Sequence, residues 1–198
     1  MKYAALALIA ACGLLLFARC GAGGPSAGSA AATAPSAGFN STDVMFLQMM
    51  VPHQAQGVKL AALAREHPVR PEVRTLGAAI ESTQRAEAGR IVGRLRGWER
   101  PLRAPADSHH AHGGVVPETT DAELAALARL PADRFEREFL NLLIAHQDDA
   151  VQLARMELGG GEDAWTRELA GKVERSRTAQ IDRLLDLAGP AGPRVRSG

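Results

Sequence analysis

Five of the six histidines in the chain fall into two patterns that could hold a metal ion. His53 and His146 each close an apolar run, Phe46-Leu47-Gln48-Met49-Met50-Val51-Pro52-His53 and Phe139-Leu140-Asn141-Leu142-Leu143-Ile144-Ala145-His146. His109, His110 and His112 crowd into Asp107-Ser108-His109-His110-Ala111-His112, inside a stretch punctuated by Pro and Gly. Neutral imidazole is the commonest side-chain metal ligand. Within one helical turn of His53 lie Met49, Met50, Gln56 and Gly57, and around His146 lie Leu142, Leu143, Asp149 and Ala150. Imidazole with thioether suits Cu(I) or Cu(II), and imidazole with carboxylate suits Zn or Cu(II). The candidate metal set is therefore His53, His146, Met49, Met50, His109, His110 and His112, with copper as the expected ion. A structural reading stands beside it. A buried imidazole needs a partner, and the two histidines could bond each other, Gln54, Gln147 or a carboxylate on a neighbouring helix. Met49 and Met50 also suit core filling, and the three clustered histidines also suit a solvated linker.

No acid, base or nucleophile constellation accompanies these residues. A di-iron oxidase on a helical bundle needs Glu-x-x-His on two helices, but the residues three before the histidines are Met50 and Leu143. A phosphate loop and His-Glu-x-x-His are missing from the sequence, and Gly-x-Ser-x-Gly occurs only as Gly24-Pro25-Ser26-Ala27-Gly28, inside a Gly/Ser/Ala stretch rather than between a strand and a helix. Both cysteines, Cys12 and Cys20, lie near the start, so the remainder offers no thiolate nucleophile or disulfide. The expectation is a protein that is not an enzyme.

Helices must position the histidines. Ser41 or Thr42 can cap a first helix, with Asp43 in its first turn. Phe46, Met50, His53, Gly57, Leu60 and Ala64 then recur at alternating spacings of four and three, which puts one face inward. Pro52 removes one backbone donor, and a kink is expected between Gln48 and Pro52. Pro71 opens a second helix that runs to Trp98 and stops before Pro101. Thr120 and Glu123 form a capping box for a short helix ending near Arg129. Pro131 opens a third long helix that ends at Gly159-Gly160-Gly161, and a fourth runs from Glu162 to Ala188. Glu81 and Glu174 are expected to be solvated surface carboxylates.

The third long helix repeats the first at a constant offset. Phe46, Leu47, His53, Gln54, Val58, Leu60 and Ala61 match Phe139, Leu140, His146, Gln147, Val151, Leu153 and Ala154, seven identities in sixteen positions. The offset continues into the following helix of each half, where Leu76 meets Leu169, Glu81 meets Glu174 and Arg90 meets Arg183. This is the signature of a duplicated helical hairpin. Two hairpins with one apolar face each would pair as an all-α four-helix bundle. Whether the two histidine helices face one another is left open by the sequence.

These residues also resemble a known family. Asp43-x-x-Phe46-Leu47-x-x-Met50-Val51-Pro52-His53, the later Phe139-Leu140-x-x-Leu143-Ile144-x-His146, and Gln84-x-x-Glu87 with Trp98 are similar to the DUF 305 family, a domain of unknown function, over residues 39 to 188. The resemblance implies a ferritin-like, often exported four-helix bundle, with copper handling in some members. It also implies a second histidine after each first one, where this chain has Gln54 and Gln147. The family's methionine is kept at Met50 and replaced by Leu143, and its Met-rich loop segment is here Val115-Val116.

The N-terminus sets location. Lys2 precedes an apolar run from Tyr3 to Phe17, shorter than the roughly twenty residues of a stable membrane span, followed by Arg19 and Cys20. Residues 1–20 read as an export segment. Cys20 resembles a lipoprotein acylation site; ordinary secretion and an uncleaved anchor are the alternatives. Residues 21–38 read as a flexible Gly/Ser/Ala linker. The remaining divisions are a bundle over 39–188, with halves at 40–100 and 131–188 and a His-rich loop at 101–118, and a disordered tail at 189–198. All three readings of the N-terminus place the domain outside the cytoplasm, and the Cys20 reading makes the membrane a partner through the lipid anchor. Composition agrees: 4% aromatic residues disfavours sandwiches and barrels, and 46% hydrophobic residues suffices for a core. With 23 Lys and Arg against 22 Asp and Glu, no field draws the chain to nucleic acid. The expected partner is a transition metal ion; a protein partner is not identified.

Overall fold

The computed structural model describes residues 38–104 and 119–189. The expected export segment with Cys20, the expected linker, the loop histidines His109, His110 and His112, and residues 190–198 lie outside the described residues. Within them the protein is all-helical: α1 Ser41–Glu66, α2 Pro71–Gly97, α3 Asp121–Ala128, α4 Ala132–Gly160 and α5 Ala164–Ala188. No described helix is long and apolar enough to cross a membrane.

Local chemistry explains the boundaries. Asn40, rather than Ser41 or Thr42, caps α1: its side chain accepts from the Thr42 and Asp43 amides, and Asp43 returns a bond to the Asn40 N–H at 2.6 Å. The reciprocal bonds satisfy amide donors that the first turn leaves unpaired. Pro52 does not end α1, which continues to Glu66. Pro71 starts α2, and Thr120 with Glu123 forms the expected capping box on α3. Asp163 caps α5 through the Thr166 amide. After Trp98 the chain reverses through Glu99, whose φ of 55° is left-handed, and the Arg100 N–H bonds to Leu95 O at 2.9 Å.

Short turns make α1 with α2, and α4 with α5, antiparallel pairs, and α1 lies against α4 to join the pairs. The start of α1 meets the end of α4 through Asn40 Nδ2 donating to Gly160 O at 2.8 Å. The other end is closed by His67 stacked on Phe135, centroids 3.8 Å apart, and by Arg70 paired with Glu136. Two apolar clusters fill the interior. One contains Leu60, Ala64, Ile80, Phe135, Phe139 and Leu184; the other contains Phe46, Met50, Ile91, Leu95, Ala154 and Val173. Along every long helix a polar stretch separates them: His53–Gly57, Gln84–Glu87, His146–Gln147 and Arg177–Gln180.

Candidate functional site

The helical spacing that turns Phe46, Met50 and Leu60 inward carries His53 inward too, and the same holds for His146 on α4. Because α1 lies against α4, the two imidazoles meet. They stack with centroids 4.0 Å apart and planes 15° from parallel. Both are buried, at 3% and 1% exposure. His53 Nε2 lies 3.1 Å from the His146 carbonyl oxygen. A carbonyl can only accept, so Nε2 carries the hydrogen and Nδ1 of His53 is a bare lone pair without a partner. His146 Nδ1 lies 3.2 Å from the Thr119 hydroxyl. Its Nε2 and Gln84 Oε1 both close on the space beside Gly57, where a β-carbon would stand inside 3.0 Å of each. Both atoms are buried without a hydrogen-bond partner, and the Thr119 hydroxyl, which can donate or accept, engages Nδ1.

A hydrogen-bonded layer surrounds the pair. Gln54 Nε2 donates to Glu87 at 2.7 Å, and Gln147 donates to Gln180. Both bonds span 33 residues, and their members are 93 apart, the same offset that relates His53 to His146. Gln84 Nε2 donates to Gln147 Oε1 at 2.9 Å. Arg177, fully buried, donates to Glu87 and forms an ion pair with it. Burial above all holds both histidines neutral: the His53 pKa falls to about 4, with the His146 carbonyl opposing and Arg177 adding, and the His146 pKa falls to about 2, with His53 and then Arg177 adding.

Neutral imidazoles are the metal-binding form, but this donor set does not fit a metal ion. Ring nitrogen lone pairs lie in the ring plane, so nearly parallel stacked rings cannot aim theirs at one point. His53 Nδ1 and His146 Nε2 are the ring nitrogens without a partner, while Thr119 engages His146 Nδ1. A buried guanidinium in the same layer further disfavours a cation. Gln54 and Gln147 use their amides within the layer. Met50 is buried in the apolar cluster with Phe46 and Ile91, and Met49 packs against that cluster, the place of core residues. Among the described residues no three His, Cys, Asp or Glu side chains gather to hold a metal. The structure thus brings together His53 and His146 and sets Met50 in the core.

The surface expectation for Glu81 is corrected. Its side chain is buried and bonded by Arg65 and by Arg85, the latter at 2.7 Å, because α2 turns that position toward α1. Glu174, its counterpart, is partly exposed and pairs with Arg155 at 3.1 Å. Sequence reasoning did not single out Arg177, Gln180 or Thr119. The offset that matched the histidines also matches Arg177 to Gln84 and Gln180 to Glu87, and following it further would have found the first two.

The fold is shared with solved structures. A DUF305 fragment from Deinococcus radiodurans is 29% identical, with 76% of this chain and 97% of that one covered and a TM-score of 0.67. A DUF305 protein assigned as secreted, from Streptomyces coelicolor, is 27% identical over 74% of this chain and 91% of that one, TM-score 0.68. CopM in its Cu(I)-bound form is 26% identical over 75% and 96%, TM-score 0.62. No curated protein matches the chain. The family model of the domain of unknown function DUF305 matches residues 43–188, from the capped start of α1 to the end of α5. The chain belongs to the DUF305 family.

Proposed function

We propose that this protein is an exported, non-catalytic copper-binding protein, tethered to the membrane through Cys20. Its domain is a ferritin-like four-helix bundle made of a duplicated hairpin, whose buried histidine pair is structural. The observation that carries the reading is the likeness to CopM, a protein solved in Cu(I)-bound and Cu(II)-bound forms. The His109-His110-Ala111-His112 cluster supports it, as three imidazoles in four residues suit a divalent metal. The stacked geometry of His53 and His146 supports assigning copper to the cluster rather than to the pair. Export is supported by the apolar N-terminal run and by the Streptomyces coelicolor relative.

A second reading is favoured by the hydrogen-bonded layer itself. With Gln54, Gln147 and Arg177 in place, the bundle would be a scaffold for a partner at the cell envelope. Cu(I) and Cu(II) titration of the full chain against a competing chromophoric chelator separates the two. The comparison includes His53→Ala/His146→Ala and a variant with His109, His110 and His112 all replaced by Ala. Binding kept in the first variant and lost in the second is the expected result. Binding lost with the core pair would return the site to His53 and His146, and no binding in the parent would leave the scaffold.

A further inference from the structure

A second buried polar cluster closes the end of the bundle where α1 begins. Asp43 is fully buried. Its Oδ1 accepts from the Asp163 amide at 2.9 Å and the Glu162 amide at 3.2 Å, while its Oδ2 accepts from the Asn40 amide at 2.6 Å and again from Glu162. These donors are fixed by the α1 cap and the α4–α5 turn. Burial pushes the Asp43 carboxyl up, but the backbone donors and Glu157 outweigh burial and hold it below the usual range.

Glu157, in the last turn of α4, is equally buried, and no N–H or hydroxyl reaches either of its oxygens. Its carboxyl instead lies against Gly161, next to the Glu162 amide that donates to Asp43, which sets it beside the Asp43 carboxyl. Two carboxylates in such contact repel unless one carries a proton. Asp43 has its oxygens occupied by backbone donors that favour the anion, so the proton belongs to Glu157. Gly161 makes room: a β-carbon there would stand inside 3.0 Å of the Glu157 carboxyl group. The charges that act on Glu157 are Asp43 from α1, Arg167 from α5 and Asp163 from the turn. Arg167 also donates to Gly161 O at 2.7 Å, and Arg94 of α2 holds Asp163 at 2.5 Å.

We propose that Glu157 donates a shared proton to Asp43, and that this carboxyl pair is a latch fastening the start of α1 to the α4–α5 turn until the proton is lost. Burial first, then the Asp43 contact, pushes the Glu157 carboxyl up to about 8, with Arg167 opposing. The folded value lies above the ordinary 4.5 of the unfolded chain. The latch therefore contributes fully below the ordinary value and is lost as pH rises through about 8. The latch sets how firmly the start of α1 is held against the α4–α5 turn.

Hydrogen exchange of the Glu162 and Asp163 amides in the full chain, corrected for intrinsic rate, tests this between pH 6 and pH 9. Protection in the parent is expected to fall by about a hundredfold, the loss accumulated over the roughly two pH units from 6 to about 8 in which Glu157 ionises only in the opened state, and to level off above that. In Glu157→Gln, whose carboxamide still donates to Asp43 but does not titrate, protection is expected to stay constant. An equal fall in both proteins, or no fall in the parent, overturns the proposal. A carbon-13 titration of the Glu157 carboxyl in the parent needs no variant. Ionisation above pH 7 supports the latch, and ionisation in the ordinary carboxylate range refutes it.

Discussion

Gly57→Ala against Gly89→Ala measures how tightly the histidine layer is packed. Both glycines lie inside helices, α1 and α2, where alanine is intrinsically better by about 1 kcal/mol. At Gly89 a new β-carbon meets nothing within 4 Å, so that gain is realised in full. At Gly57 the β-carbon would lie inside 3.0 Å of Gln84 Oε1 and His146 Nε2, and 2.7 Å from Gln84 Cδ. The His146 ring is held by its stack on His53, and Gln84 by its bond to Gln147. Forcing extra volume into a packed interior costs about 1–3 kcal/mol, and losing the buried Gln84–Gln147 bond costs a further ~1–3 kcal/mol. Net of the helix gain, Gly57→Ala should destabilise by about 1–5 kcal/mol. For a domain of this size each kcal/mol moves Tm by about 2–4 °C. Thermal and urea unfolding should show Gly89→Ala melting a few degrees above the parent and Gly57→Ala clearly below it. A Gly57→Ala protein as stable as Gly89→Ala would refute the packing of Gln84 and His146 against α1.

Two further outcomes follow from the same layer. Arg177→Met leaves the Glu87 carboxylate buried without its counter-charge, which should cost about 3–5 kcal/mol in urea unfolding. Adding Glu87→Gln should recover most of that, since Gln180, 93 residues on from Glu87, already accepts from Gln147 as Glu87 does from Gln54; failure to recover would place the loss elsewhere. Acid should also weaken the fold through the histidines. The unfolded chain takes up protons near pH 6.5, whereas folded His53 resists to about 4 and His146 to about 2. Stability is thus present above pH 6.5 and lost as pH falls toward 4, by about 1.4 kcal/mol per pH unit for each histidine. Glu157 acts in the opposite direction over part of this range. The contribution of the pair is therefore the difference between the parent and His53→Gln/His146→Gln, and identical pH profiles for the two would contradict buried neutral imidazoles.

The sequence by itself determined the helices, their order and the inward face of His53 and His146. A period of three to four residues, Pro71 at a helix start and the Thr120–Glu123 box are local signals, and local hydrogen bonding and sterics suffice to read them. The 93-residue offset made the two histidines equivalent, and the family resemblance named the fold type. Only the tertiary structure decided what faces them. Stacking of His53 on His146 depends on α1 lying against α4. The Arg177–Glu87 pair joins residues 90 apart, on helices whose separation no local pattern encodes. Glu81 shows the same limit, because a carboxylate on a helix reads as solvated until the neighbouring helix turns it inward. Asp43 and Glu157 show it most fully. Each reads alone as an ordinary helix-end acid, one near an N-terminus and one in a last turn. Packing removes both from water and leaves them facing each other, and only there does the energetic cost of two adjacent buried carboxylates assign the proton to Glu157.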